Sequence, residues 1–581
     1  MATEQATAET PAETPKLSAV EGIKTTSRWL RGTLAEEMAS GADHFNDESM
    51  QLLKFHGSYQ QEDRDARKNR PKTGVAGKHY MFMLRLRLPG GVMTADQYLA
   101  MDDVAGKHAN GTIRLTTRQS IQFHGVVMAH LKPSIQDINA AMLSTRSACG
   151  DVNRNVMACP APLADQPHKE AQQLAYDIAM HLAPKSNAYY DVWLNGEKQE
   201  SPDALQDDVE PIYGKVYLPR KFKVAISLPH DNCVDIQAND LGFLAAVEDG
   251  KTVGYNVMVG GGFGRSNGKP ETFAHLSQPL GFVKPDEVVA ASEAVIKFYR
   301  DHGDRTNRKR ARLKYVVHDL GIQKVREIFQ AKYWDKPLVP PREMPITGVD
   351  LHLGWQAQGD GKWFLGVSVE NGRIKDDGAS RLRSGLREIV KRFKCGARIT
   401  GQQDLLLTDI ATADRPAIDS LLNEYGIPKP ENLSMMRMWS MACPAIPTCG
   451  LAITESERAL PSLVNQLAAV ADELGLSSEA ISVRMTGCPN GCARPYNSDI
   501  GLVGRAGEKY TMYVGGTTRG DQLNFLLQDQ VHRDKVVEYS KTLFGLYKTE
   551  RNPGEVFGDW CQRKGVESLC GALGLPLPKP V

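Results

Sequence analysis

Four cysteines stand in two close pairs near the C-terminal end of the chain. Cys443 and Cys449 form a C-x5-C pair in MACPAIPTCG, and Cys488 and Cys492 a C-x3-C pair in TGCPNGCARPY. The prolines and glycines inside both pairs point to loops, which wrap thiolates around a compact centre better than a rigid helix does. Four thiolates are the ligand set of a [4Fe-4S] cluster. Structural zinc also takes four cysteines, but its usual spacings are C-x2-C to C-x4-C, so the five-residue gap counts against zinc without removing it. Cys159, in MACPAP, has no second pair downstream. Cys149, Cys233, Cys395, Cys561 and Cys570 read as isolated buried thiols. Ten cysteines in 581 residues are too sparse for a disulfide scaffold.

Basic residues form the second chemical pattern. In TIRLTTRQSIQFHG the alternate positions Arg114, Thr116, Arg118, Ser120, Gln122 and His124 share a face if the segment is extended. In LPRKFKVAI, Lys221 and Lys223 share a face while Phe222, Val224 and Ile226 point into packing. Arg85 in HYMFMLRLRL and Arg154 in DVNRNVM add further strand-borne cations. One such residue is ordinary on an exposed strand; several on separate apolar-backed segments suit a polyanion or a small oxyanion. VGGGFGR lacks the last glycine of G-x-G-x-x-G, and SNGKP has proline where a phosphate loop needs Ser or Thr, so this stretch reads as a turn or a backbone nest. No nicotinamide or flavin fingerprint is present, and electrons must come from elsewhere.

The elements that position these residues repeat along the chain. RLTTRQSIQFHGV from Arg114 aligns with RITGQQDLLLTDI from Arg398, and at the same offset of 284 MACPAP from Met157 falls on MACPAI from Met441. NDLGFLAAVEDGKTVGYNVMVGGG from Asn239 resembles SDIGLVGRAGEKYTMYVGG from Ser498 at another offset. The chain therefore divides into two halves, each a smaller unit followed by a larger one, joined through the proline-rich KPLVPPREMP, with a site expected between them. HYMFMLRLRL has strand periodicity, PDEVVAASEAVIKFYRDHG and LPSLVNQLAAVADELG have helix periodicity, and an α+β architecture follows. The net charge of +1 argues against a general nucleic-acid binder. No apolar run approaches the roughly 20 residues of a membrane helix. MATEQATAETPAETPK has neither the apolar core of a signal peptide nor the low acid content of a transit peptide, and reads as the disordered tail of a cytoplasmic protein.

With these features together, FHGSYQQEDRD, RLTTRQ, DVNRNV, LPRKFK and TGCPNGCARPY, in this order, resemble the siroheme sulfite and nitrite reductase hemoproteins over nearly everything after the tail. The resemblance implies ferredoxin-like half-domains in a pseudo-twofold internal repeat, plus two larger α/β domains, around a central siroheme. It implies a tail at 1–20, first half-domain 21–145, first large domain 146–335, second half-domain 336–425 and second large domain 426–581. It implies a [4Fe-4S] cluster on Cys443, Cys449, Cys488 and Cys492, with Cys492 also ligating the siroheme iron. Arg85, Arg154, Lys221 and Lys223 take the substrate-anion positions; Arg114, Arg118, Gln122, His124, Arg220 and Asn490 lie along the siroheme. The implied reaction is six-electron reduction of sulfite to sulfide for cysteine biosynthesis. Members devoted to nitrite tend to carry Asn at position 223, so Lys223 favours sulfite. Gly450 departs from the proline common after the second cysteine and lies outside the ligand set. SRWLRGTLAEEM resembles hemoproteins paired with an NADPH-dependent flavoprotein, the partner expected here, while GACGDVNRNVMACPAP and CARPY resemble ferredoxin-dependent enzymes.

Overall fold

The computed structural model describes residues 16–68, 78–186, 192–194, 197–199 and 209–579. Residues 1–15 of the expected tail lie outside the described residues, and a helix, Ala19–Thr26, already begins within its last positions.

Four five-stranded sheets carry the fold, and they come in two matching pairs. The first small sheet runs in the order Ser58–Glu62, Tyr80–Arg85, Ile121–Val126, Ile113–Leu115, Arg373–Ile374, all antiparallel. The second runs Gly354–Ala357, Trp363–Val367, Leu405–Ile410, Gly396–Ile399, Val92–Met93, again antiparallel. Each sheet thus closes on a two-residue edge strand supplied by the other half. That exchange caps two sheet edges that would otherwise expose unpaired backbone. The helices behind these sheets form for local reasons. Ala95–His108 opens with a Thr94/Gln97 capping box. Leu382–Phe393 buries Leu382, Leu386, Ile389 and Val390 along one stripe. Both small units drain into a single apolar core that joins Phe82, Leu84 and Phe123 to Leu365, Leu386 and Leu405.

The larger sheets also match. Asn153–Met157, Phe222–Ser227 and Leu241–Glu248 are parallel, followed by antiparallel Lys251–Val259 and Gln278–Val283. Met441–Ala442, Val483–Thr486 and Ile500–Ala506 repeat the parallel set, followed by antiparallel Lys509–Val514 and Phe525–His532. A parallel pair needs a crossover, and Gln166–His181 and Leu460–Glu473 serve at equivalent places. Ligand sites in such sheets gather beyond the carboxyl ends of the parallel strands. Cys159, Cys443 and Cys488 each follow such an end by two residues or fewer.

One expectation is corrected. The segment Arg114–His124 is a hairpin rather than one extended strand: Thr116 N donates to Ser120 O at 2.9 Å, Gln119 N to Thr116 O at 3.0 Å, and Gln119 takes a left-handed φ of 51°. Arg114 and Gln122 therefore lie side by side as cross-strand neighbours.

Candidate functional site

The cysteine loops lie against one another in a small apolar shell of Met441, Ala445, Ile446, Ala452 and Ala493. Cys443 accepts from the Gly487 amide at 3.3 Å, and the Asn490 side-chain amide faces the Cys488 sulfur at 3.5 Å. Arg64 clamps the first loop from outside, donating to Cys449 O at 3.2 Å and to Ala452 O at 2.5 Å. Two glycines are required by the packing. A Cβ on Gly487 would stand 2.7 Å from both Ala445 Cβ and Thr454 O, and Gly491 has φ 64° with Tyr496 2.9 Å from where a Cβ would be.

Burial, and then the neighbouring Cys492 sulfur, pushes the Cys443, Cys449 and Cys488 thiols up, Cys488 to about 12. Three such sulfurs become thiolates together only around a strongly cationic centre. Their spacing separates the two candidate centres. A single zinc ion with Zn–S bonds of about 2.3 Å holds its sulfurs within about 4 Å of each other. Among the described residues, the group whose ligand atoms all lie within 4.8 Å of one another is a different one, and these four cysteines are not it. The wider arrangement fits a polynuclear cluster.

Cys492 differs from its three partners in being exposed. Its exposed side opens into a central cavity, where it lines the wall with Arg118, Lys221, Lys223, Arg312 and Asn490. Thr117 at the tip of the first-half hairpin donates to Cys492 O at 3.0 Å, which fastens one half of the molecule to the cysteine loop of the other. The VGGGFGR segment forms the facing wall: Phe263 and Gly264 line the cavity, and Lys314 donates to the Gly262 and Gly264 carbonyls at 3.1 and 2.8 Å.

The cations converge from several strands. Lys221 and Lys223 flank buried Phe222 at the start of Phe222–Ser227, and among the described residues neither ammonium has a hydrogen-bond acceptor. Burial, reinforced by Arg312 and Arg220 and opposed by Cys492, lowers Lys221 to about 7. That disfavours its charge by about 5 kcal/mol relative to water. Lys223 is lowered well below its ordinary value too, by burial and then by Lys221 and Arg118. Arg118 donates to Asn239 Oδ1 at 2.7 Å and to Asn155 O and Val224 O, while its Nε is buried without a partner. Arg154 is held by the Gly150 and Ala148 carbonyls, and Arg220 lies 3.7 Å from Asp151. Arg85 donates to the Cys149 sulfur at 3.3 Å and lies over the Tyr59 ring; with its amide oxygen turned toward Arg85, Gln122 accepts from the same guanidinium. His124 is buried with both ring nitrogens unpartnered, and burial beside Arg373, Arg114 and Arg85 holds its pKa well below the usual value.

Arg114, like Arg85, Arg154, Arg220, Gln122 and His124, does not line the cavity. It is fully buried and donates to Glu457 Oε2 at 3.1 Å, Leu115 O at 2.8 Å and Ala442 O at 2.8 Å, beside the first cysteine pair and away from the cavity wall. Among the lining residues that escape the sequence reading, three are large polar side chains. Arg312, held by Asp240 at 2.9 and 2.8 Å, lies on a helix approach with no strand alternation. Arg494, paired with Asp235 at 3.0 Å, hides within the CARPY motif, and Asn239 within the repeat. The sequence also treats Cys233 as isolated; it packs within 4.8 Å of Cys159.

A doubled sheet pair, two adjoining cysteine loops and a cation-lined cavity between the halves suit a protein that holds an iron-sulfur cluster beside an anion-binding site. Residues 149–338 and 441–581 match the family described as "Nitrite and sulphite reductase 4Fe-4S domain", and residues 75–141 and 356–425 match the "Nitrite/Sulfite reductase ferredoxin-like half domain". The chain belongs to the nitrite and sulfite reductase family, oxidoreductases that use siroheme with one [4Fe-4S] cluster. It is 46% identical over 570 residues to "Sulfite reductase [ferredoxin]" of Synechococcus elongatus, covering 95% of this chain and 90% of that protein. It is 44% identical to "Sulfite reductase [NADPH] hemoprotein beta-component" of Chromohalobacter salexigens, covering 94% and 95%. The fold is similar to that of the Mycobacterium tuberculosis NirA protein, with a TM-score of 0.76 at 24% identity over 96% of this chain and 98% of that one. No helix among the described residues is long and apolar enough to cross a membrane.

Proposed function

We propose that the protein is an assimilatory sulfite reductase hemoprotein, reducing sulfite to sulfide for cysteine biosynthesis in the cytoplasm. The observation that carries this reading is the placement of the exposed Cys492. It belongs to the cysteine loops and also opens into the cavity lined by Lys221 and Lys223. The residues present fit both groups: four cysteines on two adjoining loops for a cluster, and buried nitrogens without partners on Arg118, which lines the cavity, and on His124 for a polyanion. Cys443, Cys449, Cys488 and Cys492 would hold the cluster, and Cys492 would also ligate siroheme, which together supply an electron store and an iron that binds sulfur.

The chain's own residues do the rest. Arg85 and Arg154 bind the oxyanion. Lys221 and Lys223 hold protons for the oxygens that leave as water, Lys221 being close to balanced between its charged and neutral forms near neutral pH. Arg118, Gln122, His124, Arg220 and Asn490 would lie along the siroheme and bind its carboxylates. Arg114 braces the loop that bears Cys443 through its bond to Ala442 O. The division at 21–145, 146–335, 336–425 and 426–581 belongs to the same reading.

The relatives' names divide between ferredoxin and NADPH as electron source. We take a separate flavoprotein as the donor to test first. The purified holoprotein, assayed anaerobically with NADPH plus a flavoprotein subunit and in parallel with reduced ferredoxin, is expected to form sulfide faster with the flavoprotein. The opposite order assigns ferredoxin. Protein from a siroheme-competent host that carries no tetrapyrrole contradicts the whole reading.

A further inference from the structure

We infer that the first half of the molecule holds a second metal centre, a single zinc ion on Cys159, Asp231, Cys233 and His352. These four side chains come from three separate segments, are all buried, and place one ligand atom each within 4.8 Å of all the others. Cys159 Sγ lies 2.9 Å from Asp231 Oδ2 and 3.5 Å from His352 Nε2, which itself lies 3.0 Å from the same Asp231 oxygen. A tetrahedral zinc site with bonds of about 2.0–2.3 Å separates its ligands by about 3.3–3.8 Å. Small outward movements of these side chains would therefore admit the ion.

The surroundings are those of a ligand set. Asp231 Oδ1, the oxygen not aimed at the group, accepts from the Cys233 amide at 3.2 Å and the Asp350 amide at 3.0 Å, which fixes the carboxylate and leaves Oδ2 for the metal. His352 turns Nε2 inward and Nδ1 toward Asp350 Oδ2 at 3.6 Å, the carboxylate–histidine order of zinc sites. It does so from a left-handed backbone with φ 57°, an uncommon conformation for a residue with a side chain. Gly366 makes room for it: a Cβ there would stand 1.8 Å from His352 O.

The fold itself supplies the address. Cys159 follows its strand as Cys443 follows the matching strand, and Cys233 falls on Cys492 in the register that aligns Asn239 with Ser498. Two sulfurs of this group are therefore the pseudo-twofold mates of two cluster cysteines. Where the second half completes its set with Cys449 and Cys488, this half completes it with a carboxylate and an imidazole. Two thiolates, one imidazole and one carboxylate in a closed buried site suit zinc, with no position left for substrate. Binding needs both sulfurs as thiolates and the His352 Nε2 unprotonated, so every proton these three ligand atoms carry leaves to solvent, and four coordinate bonds form without electron transfer. The ion would fasten the inter-half connection at His352 to the back of the cavity wall, since Met157 and Val234 line the cavity beside Cys159 and Cys233. The inference does not depend on the substrate of the reductase.

The test is metal analysis and zinc K-edge absorption spectroscopy on the full-length holoprotein, grown with zinc and purified without chelator. The expected result is about one zinc per chain with a mixed shell of two sulfur and two nitrogen or oxygen ligands. Asp231→Asn and His352→Gln are expected to lower zinc at least tenfold while iron and siroheme absorption stay unchanged. Less than a tenth of a zinc per chain, a zinc shell without sulfur, a Cys159–Cys233 disulfide, or full zinc retention in both variants would overturn it. The wild-type spectrum decides the matter if the variants do not fold.

Discussion

At the scale of single residues, the account turns on what burial does to Lys221 and Lys223. Lys221, lowered to about 7, is charged below that pH and neutral above it. Sulfite reduction needs the charged form, both to attract the anion and to supply a proton, so kcat/KM for sulfite should fall tenfold per pH unit above about 7. Lys221→Met should lower the rate and remove that limb from the pH profile, and an unchanged limb would move the titration to another group. The same shift bears on stability: the unfolded chain holds the Lys221 proton between about pH 7 and its ordinary value while the folded one does not, so Lys221 opposes folding most below pH 7. At position 223, Lys223→Asn is expected to shift the ratio of nitrite to sulfite rates toward nitrite by about tenfold, the size of one lost hydrogen bond. Parallel rate measurements on the two anions check it. These lysines were legible because strand alternation displays them beside Phe222, Val224 and Ile226. His352 and Asp231 were not: each alone looks like a buried polar residue, and only the fold brings positions 159, 231, 233 and 352 together.

At the scale of elements, the hairpin at Arg114–His124 shows where alternation misleads. Each arm alternates as a strand should, but the turn Thr116–Gln119 contains no glycine, proline or asparagine to mark it. Arg114 is brought beside Gln122 on the same face and bonds Glu457. Glu457 accepts from Arg373 at 2.7 and 3.0 Å and from Arg114 at 3.1 Å, joining the edge strand of one half to the cysteine-bearing domain. Removing one partner of a buried ion network leaves charges unpaired and costs about 3–5 kcal/mol. Glu457→Gln is therefore expected to lower stability by about 3 kcal/mol in denaturant unfolding of the holoprotein, with a smaller loss for an exposed pair such as Lys324–Glu327. Equal small losses at both sites would remove the network from the account. The two-residue edge strands Val92–Met93 and Arg373–Ile374 were illegible for a related reason, being too short to carry a period.

At the scale of the molecule, the internal repeat was the most legible feature, and the matched sheet orders follow it closely: the offset of 284 carries Ile121–Val126 onto Leu405–Ile410. What the repeat did not disclose is that the two small units share one core and exchange edge strands. Duplication then gave the chain two equivalent cysteine addresses beside one cavity. One carries a four-sulfur set whose exposed member faces the lysines; the other has diverged. The cavity between them concentrates cations in a chain of net charge +1, which suits an anionic cofactor and an anionic substrate without making the whole surface basic. The central claim is that electrons gathered at the cysteine loops reach sulfite at this cavity in one six-electron sequence. The most direct test is the electron count per sulfide, measured anaerobically on the holoprotein with sulfite and a chemical reductant. The account predicts six electrons for each sulfide formed; no sulfide, or a stoichiometry well below six with a partly reduced sulfur species released, would contradict it.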